Sequence, residues 1–207
     1  MSETIKLDIP PGEFAAYIFD CDGTLADTMP LHYRAWDQAV REQGHHFPEE
    51  LFYSLGGVPA PGVIDFLNKR FGWSMPIAET AAYKEALFEQ LIPQTKPIVP
   101  VVAFMHSVLG RYPVAVASGG LKPLVLGTLE ALGIHEHFNA VVTYEDVLHP
   151  KPAPDTYLEA ARRMGVEPTR CLVFEDTPLG IQAATAAGMQ SVLVASGPVV
   201  TRPADLS

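Results

Sequence analysis

Cysteine is scarce in this chain: among 207 residues there are only Cys21 and Cys171, each isolated and set in or beside an apolar run. That excludes a disulfide-stapled scaffold and leaves two core thiols, the usage of a reducing compartment. Positive charge is also thin, with 14 Lys and Arg against 24 Asp and Glu and a formal net charge of −10. The basic residues are scattered, and the nearest pairs, Lys69-Arg70 and Arg162-Arg163, fall on expected helices. No basic stripe exists to follow a phosphate backbone, so nucleic acid is excluded as a partner. No segment has the roughly 20 apolar residues that cross a bilayer. Met1 to Pro11 carries Glu3, Lys6 and Asp8 without an apolar stretch, unlike a secretory signal. A cytoplasmic, membrane-free protein is the expectation.

What is present is apolar and strongly punctuated. Hydrophobic residues make up 48% of the chain and charged residues 18%, enough for one good core or a core with a modest insert. Five short runs read as strands: Ala16-Phe19, Val114-Ala117, Ala140-Thr143, Cys171-Phe174 and Ser191-Val194. They are nearly continuous in apolar residues, the habit of parallel strands covered on both faces. Helical patterns at Leu121-Leu132, Asp155-Met164 and Pro178-Ala187 separate the last four, ending at Gly133, Gly165 and Gly188, while Thr177-Pro178 supplies a cap and a first-turn proline. This order predicts an α/β fold with a Rossmann-like open parallel sheet. Between Leu25 and about Lys96 the rhythm breaks into helical stretches at Leu31-Gln43, Pro61-Arg70 and Ile77-Leu91. The division expected is a core of residues 1–28 and 95–207 with a helical cap at 29–94. Ligands of open α/β sheets bind beyond the carboxyl ends of the strands, so an insert leaving there would close over the site and exclude water.

Two carboxylates stand where that reasoning places the site, in Asp20-Cys21-Asp22-Gly23-Thr24 at the tip of the first strand. Gly23 lets the chain turn sharply and its N–H groups approach an anion. Two acids beside one anion repel it unless a hard divalent cation intervenes, most simply Mg²⁺ with oxygen ligands. The ends of the other strands add Ser118-Gly119-Gly120, Lys151 between two prolines, and Glu175-Asp176. A serine hydroxyl and main-chain N–H groups at a helix mouth bind phosphate oxygens, a lysine neutralises them, and an acidic pair at a strand end is costly unless solvated or bound to a cation. Read singly, these are a strand-to-helix turn, a surface lysine and a solvated loop. Together they are the parts of a phosphoryl-transfer site.

On these motifs the chain resembles the haloacid dehalogenase (HAD) superfamily of phosphohydrolases: Asp20-Cys-Asp-Gly-Thr24, Ser118, Lys151 in Lys-Pro-Ala-Pro-Asp155, and Glu175-Asp176 in Phe-Glu-Asp-Thr-Pro-Leu-Gly-Ile-Gln-Ala-Ala184. His32-Tyr-Arg-Ala-Trp36 is similar to the beta-phosphoglucomutase-like branch, which includes small sugar-phosphate phosphatases of the fructose-1-phosphatase type. The resemblance implies that Asp20 is the nucleophile forming an aspartyl phosphate, that Asp22 is the acid and base, and that Ser118, Lys151 and the N–H groups of Gly119 and Gly120 hold the phosphoryl oxygens. It implies Mg²⁺ on the side chains of Asp20 and Asp176 and the carbonyl of Asp22, with Glu175 joining directly or through water. Thr24 braces the loop or meets substrate. His32 and Lys84 are candidate substrate contacts, with a hinge contact and a solvent-facing side chain as their alternatives.

The acid at Asp22 argues against dehalogenation, since a departing alkoxide needs its proton. A mutase returning the phosphoryl group to a second hydroxyl is the competing reading. Ala60 stands where the mutase pattern has arginine and Leu121 where it has lysine, although Lys122 is adjacent. A phosphatase of a small-molecule phosphomonoester, acting as a monomer, is therefore expected, and a silent phosphate-binding domain is the alternative of another class. His45-His46 and His135-x-His137 lack a third ligand and are expected in turns and at the surface. Trp36, Trp73, Phe66 and Phe71 are expected to pack the insert.

Overall fold

In the computed structural model, which describes residues 5–194, the apolar runs become strands β1 (Ala16–Phe19), β2 (Val114–Ala117), β3 (Ala140–Val142), β4 (Cys171–Glu175) and β5 (Gln190–Leu193). All neighbours pair in parallel, in the order β3-β2-β1-β4-β5. Reversal of strand order at β1 opens a crevice at its carboxyl end, where Asp20 begins. The helices are α1 (Met29–Glu42), α2 (Glu49–Ser54), α3 (Ala60–Phe71), α4 (Ile77–Leu91), α5 (Val99–Val108), α6 (Lys122–Ala131), α7 (Asp155–Met164) and α8 (Pro178–Ala186).

Alternation along β1 divides the core into two layers. Tyr17 and Phe19 join Val114, Val116, Leu172, Phe174, Val101 and Met105 on one face, and Phe19 stacks on Phe174 with ring centroids 4.8 Å apart. Ala16 and Ile18 join Ala115, Ala117, Val173, Ala183, Ala184 and Tyr157 on the other. The alanines let α7 and α8 approach the sheet closely. Cys21 and Cys171 are buried free thiols.

Met29–Gln94 form a compact unit of their own, and the described residues up to Thr28 and from Thr95 form another. Within the sheet unit the two ends of the insertion are tied: Asp27 N–H donates to Lys96 O at 2.8 Å and Ile98 N–H to Leu25 O at 2.9 Å. Helices α1 to α4 of the inserted unit enclose Trp36, Val40, Phe47, Phe52, Ile64, Phe66 and Leu67. Residues 195–207 of the expected core division lie outside the described residues.

Several expectations need correction. β3 and β5 are the two edges of the sheet, and β5 exposes Gln190 and Leu193 where a strand covered on both faces is expected. β4 runs one residue further than its apolar run, so Glu175 is inside the strand and paired with Leu193. β3 stops before Thr143, whose hydroxyl leaves to cap a short turn. Helices α2 and α5 were not expected: α2 is only six residues long, and α5 carries Pro100 in its first turn, where its missing N–H costs nothing. Phe71 is 43% exposed and stacks on Trp73 at 4.7 Å instead of filling the insert's interior.

The turn after β3 is held by electrostatics. Asp146 accepts from Thr143 N–H at 2.9 Å, Thr143 Oγ1 at 2.8 Å and Arg163 Nη2 at 2.8 Å. Burial works to raise this carboxyl, but the Arg163 and Thr143 bonds outweigh it and bring it from 3.8 to about 2. A carboxyl depressed on folding adds stability above its unfolded pKa and loses it as pH falls through the folded value. Asp146→Asn is expected to lower unfolding free energy by about 1–2 kcal/mol at pH 7. The gap should close as pH falls from about 4 to about 2, measured by denaturant titration at several pH values.

Candidate active site

Asp20 leaves β1 with its N–H bonded to Phe174 O at 2.9 Å, so strand pairing fixes where its side chain starts. The next residues curl tightly: Cys21 O accepts from the N–H groups of Leu25 and Ala26 at 3.0 Å, and Gly23 N–H donates to Ala26 O at 2.8 Å. Gly23 has φ +79°, and a Cβ there would lie 2.1 Å from Asp176 Oδ2. Only glycine satisfies both the turn and the approach of that carboxylate.

Lys151 reaches into this loop with Nζ 2.7 Å from Asp20 Oδ1 and 2.7 Å from Glu175 Oε2. All three side chains are at least nine-tenths buried. Glu175 is then bound on every side. Its Oε2 also accepts from the Tyr157 hydroxyl at 2.6 Å, and its Oε1 accepts from Thr177 N–H at 2.9 Å and Thr177 Oγ1 at 2.7 Å. Thr177 meanwhile caps α8 by accepting from Gly180 N–H at 3.1 Å. A Cβ on Gly180 would sit 1.9 Å from Glu175 Cδ, so the carboxylate occupies room that only glycine leaves.

The charge in this volume does not balance. Asp20, Glu175 and Asp176 bring ligand oxygens within 4.8 Å of one another, and Lys151 is the ammonium bonded among them. Burial pushes the Asp20 carboxyl up to about 8, against the pull of Lys151 and with Glu175 adding to the rise. Asp176 is raised well above the carboxylate range by burial, then by Glu175 and Asp20. Burial works against the ionised forms of Glu175 and Lys151 too, but Lys151 and the hydrogen bonds from Tyr157 and Thr177 lower Glu175, and Asp20 with Glu175 raises Lys151. Surplus buried negative charge on hard oxygen donors is the environment a divalent cation relieves. The donor set, three carboxylates, fits a hard divalent cation.

Other expected site residues fall around this centre. Asp22 Oδ1 accepts from Thr28 Oγ1 at 2.6 Å, and a Cβ built on Gly120 would lie 3.5 Å from Asp22 Oδ2 and 3.3 Å from Ser118 Oγ. Ser118 follows β2, with its N–H on Val142 O at 2.9 Å, and its hydroxyl accepts from Gly120 N–H at 3.0 Å. That bond engages one N–H expected to face phosphate. Thr24 Oγ1 donates to Asp176 Oδ1 at 3.4 Å, a loop brace. In the helical unit, Lys84 does not face water as its alternative supposed: it is buried, with Nζ 3.0 Å from His32 Nδ1 and 3.2 Å from Glu85 Oε1. His32 stacks on Phe88 at 3.6 Å. Among the described residues, no histidine joins a cluster of three potential metal ligands.

Tyr157, Thr28 and Gly180 were absent from the expected site. Tyr157 lies on the buried face of α7, where an aromatic signals core. Thr28 is six residues from Asp22, and no local pattern joins them. Gly180 sits in a helix, and its purpose appears only when Glu175 is placed against it.

Comparison with known proteins places this geometry. Residues 14–188 match the model of haloacid dehalogenase-like hydrolases. Fructose-1-phosphate phosphatase YqaB of Escherichia coli (strain K12) is 39% identical over 183 residues, spanning 86% of this chain and 95% of that protein. A phosphorylated carbohydrates phosphatase of Thermotoga maritima is 28% identical over 181 residues, spanning 86% of this chain and 83% of that one. The crystal structure of CbbY from Rhodobacter sphaeroides in complex with phosphate superposes with a TM-score of 0.80 at 26% identity, covering 91% of this chain and 88% of that one.

The two glycine environments near the site give a paired test. Gly180→Ala is expected to cost about 1–3 kcal/mol of stability through overpacking against Glu175. Gly119→Ala, with nothing within 4 Å of its new Cβ, is expected to stay within about 0.5 kcal/mol. Chemical denaturation of both variants checks the difference.

Proposed function

The chain belongs to the haloacid dehalogenase-like hydrolase family and is a phosphatase, and from that premise we propose a Mg²⁺-dependent hydrolase of small sugar monophosphates that works through a phosphorylated Asp20. The observation that carries the proposal is the Lys151 ammonium held 2.7 Å from Asp20 within a buried, negatively charged cluster. The names of the relatives, fructose-1-phosphate phosphatase and phosphorylated carbohydrates phosphatase, support the substrate class.

Asp20 forms the new bond to phosphorus as the ester oxygen leaves, and Asp22 gives that oxygen its proton. Thr28 keeps the Asp22 carboxyl aimed by its 2.6 Å bond. The alkoxide product departs, water attacks the acyl phosphate, and Asp22 takes the water's proton; inorganic phosphate and the Asp20 carboxylate are restored. Lys151, Ser118 and the main chain at Gly119 and Gly120 bind the equatorial oxygens, where fixed donors stabilise the transition state. Asp20 and Asp176 would hold the metal with the Asp22 carbonyl. Glu175, whose oxygens each already accept two hydrogen bonds, would share it through water. Neutralisation of Asp20 and the phosphoryl oxygens is what a bound ion supplies.

Residues 29–94 are assigned to the cap, and His32 and Lys84 to substrate binding. The proposal extends to a cytoplasmic monomer acting on small molecules, without nucleic acid. Among the described residues no helix is long and apolar enough to cross a membrane.

Inorganic phosphate released from a panel of hexose and pentose phosphates is the direct test. Wild-type protein with Mg²⁺ is expected to release phosphate as the main product. Chelation should stop the reaction, Asp20→Asn should abolish it, and Ser118→Ala should slow it about a hundredfold. Formation of glucose 6-phosphate from beta-glucose 1-phosphate that depends on added bisphosphate would overturn the reading in favour of a mutase. Undiminished turnover in Asp20→Asn would remove the covalent route.

A further inference from the structure

We propose that Tyr157 is a positioning residue for phosphoryl transfer: its hydroxyl, bonded to Glu175 Oε2, sets how strongly Glu175 draws Lys151 away from Asp20. The inference rests on the phosphatase reading above and goes beyond it, because a residue that touches neither metal nor substrate then tunes the catalytic lysine. Three observations combine. Tyr157 Oη and Lys151 Nζ converge on the same carboxylate oxygen, at 2.6 Å and 2.7 Å. The Tyr157 ring lies under the ammonium, with Nζ 4.7 Å from its centroid. The side chain is completely buried, so no bulk water is at hand to replace the bond.

The direction of the effect follows from competition. A phenol is protonated at neutral pH and a carboxylate only accepts, so Tyr157 is the donor. Its hydrogen bond spreads part of the negative charge on Oε2, which reduces the pull of Glu175 on Lys151. Lys151 divides its protons between Glu175 and Asp20. When Oε2 loses its second donor, the lysine is drawn toward Glu175 and away from the oxygen pair it must serve during transfer. Thr177 holds Oε1 and Gly180 leaves the carboxylate its room, so Glu175 cannot swing to find another donor. The aromatic ring holds the ammonium from below by its electron-rich face. That contribution survives when only the hydroxyl is removed.

Tyr157→Phe therefore isolates the bond. With a sugar monophosphate and saturating Mg²⁺, kcat is expected to fall about tenfold with KM within twofold of wild type, a split that simple loosening of the fold would not produce. In a Glu175→Gln background, where the charge to be spread is gone, the same change is expected to add less than twofold. Should Tyr157→Phe fail to fold, 4-fluorophenylalanine at position 157 fills the space without donating, and the same fall in kcat is expected. A kcat within twofold of wild type in the folded variant, a raised KM at constant kcat, or a full tenfold loss repeated in the Glu175→Gln background would overturn this inference alone. Absence of phosphate release by the wild-type protein would overturn the functional reading and this inference with it.

Discussion

Lys151 is shared between Asp20 and Glu175, at 2.7 Å from each, and the rest of the site depends on that bond pair. The three groups come from a strand end, a Pro-rich loop and a second strand, and all three side chains are buried. A buried charge without partners would cost several kcal/mol. Lys151 and Glu175 are instead each a reason the other can be ionised. Lys151 keeps Glu175 low, and Glu175 with Asp20 keeps Lys151 high. The same ammonium does not suffice for Asp20, whose carboxyl stays raised to about 8. On the proposed route Asp20 must be anionic to attack phosphorus, so this carboxylate needs one more positive charge. A divalent cation would supply it.

The scaffold explains how such a centre is kept. β1 and β4 pair in parallel, with Phe19 opposite Phe174, so Asp20 and Glu175 emerge as neighbours from adjacent strands. Register alone brings the acids together. Gly23 then admits Asp176 and Gly180 admits Glu175. Small residues at two points of close approach are as much a part of the site as the charged ones.

Much of this was legible in the residues. Strands buried on both faces announced themselves as unbroken apolar runs, and β1, β2 and α7 fall at their expected bounds. Charged groups at strand ends were conspicuous only together, since each read singly as a turn, a surface lysine or a solvated loop. Helix α5 was hidden because its β-branched, apolar sequence has strand character and tertiary packing overrides that preference. Tyr157 was hidden for the opposite reason: its pattern correctly says core, but a pattern cannot say that the hydroxyl of a core tyrosine finds the Glu175 carboxylate. The burial of Lys84 was equally invisible, since helical spacing places a lysine on a face without saying that His32 receives it at 3.0 Å.

The central claim is that surplus negative charge at Asp20 and Asp176 is built to receive a divalent cation. Thermal unfolding with and without Mg²⁺, in the absence of any substrate, measures this most directly, because a ligand that binds the folded state alone raises its stability. Millimolar Mg²⁺ is expected to raise the unfolding temperature of the wild-type protein by several degrees and to leave that of Asp176→Asn nearly unchanged. A wild-type protein indifferent to Mg²⁺, or an equal rise in both proteins, would contradict the account.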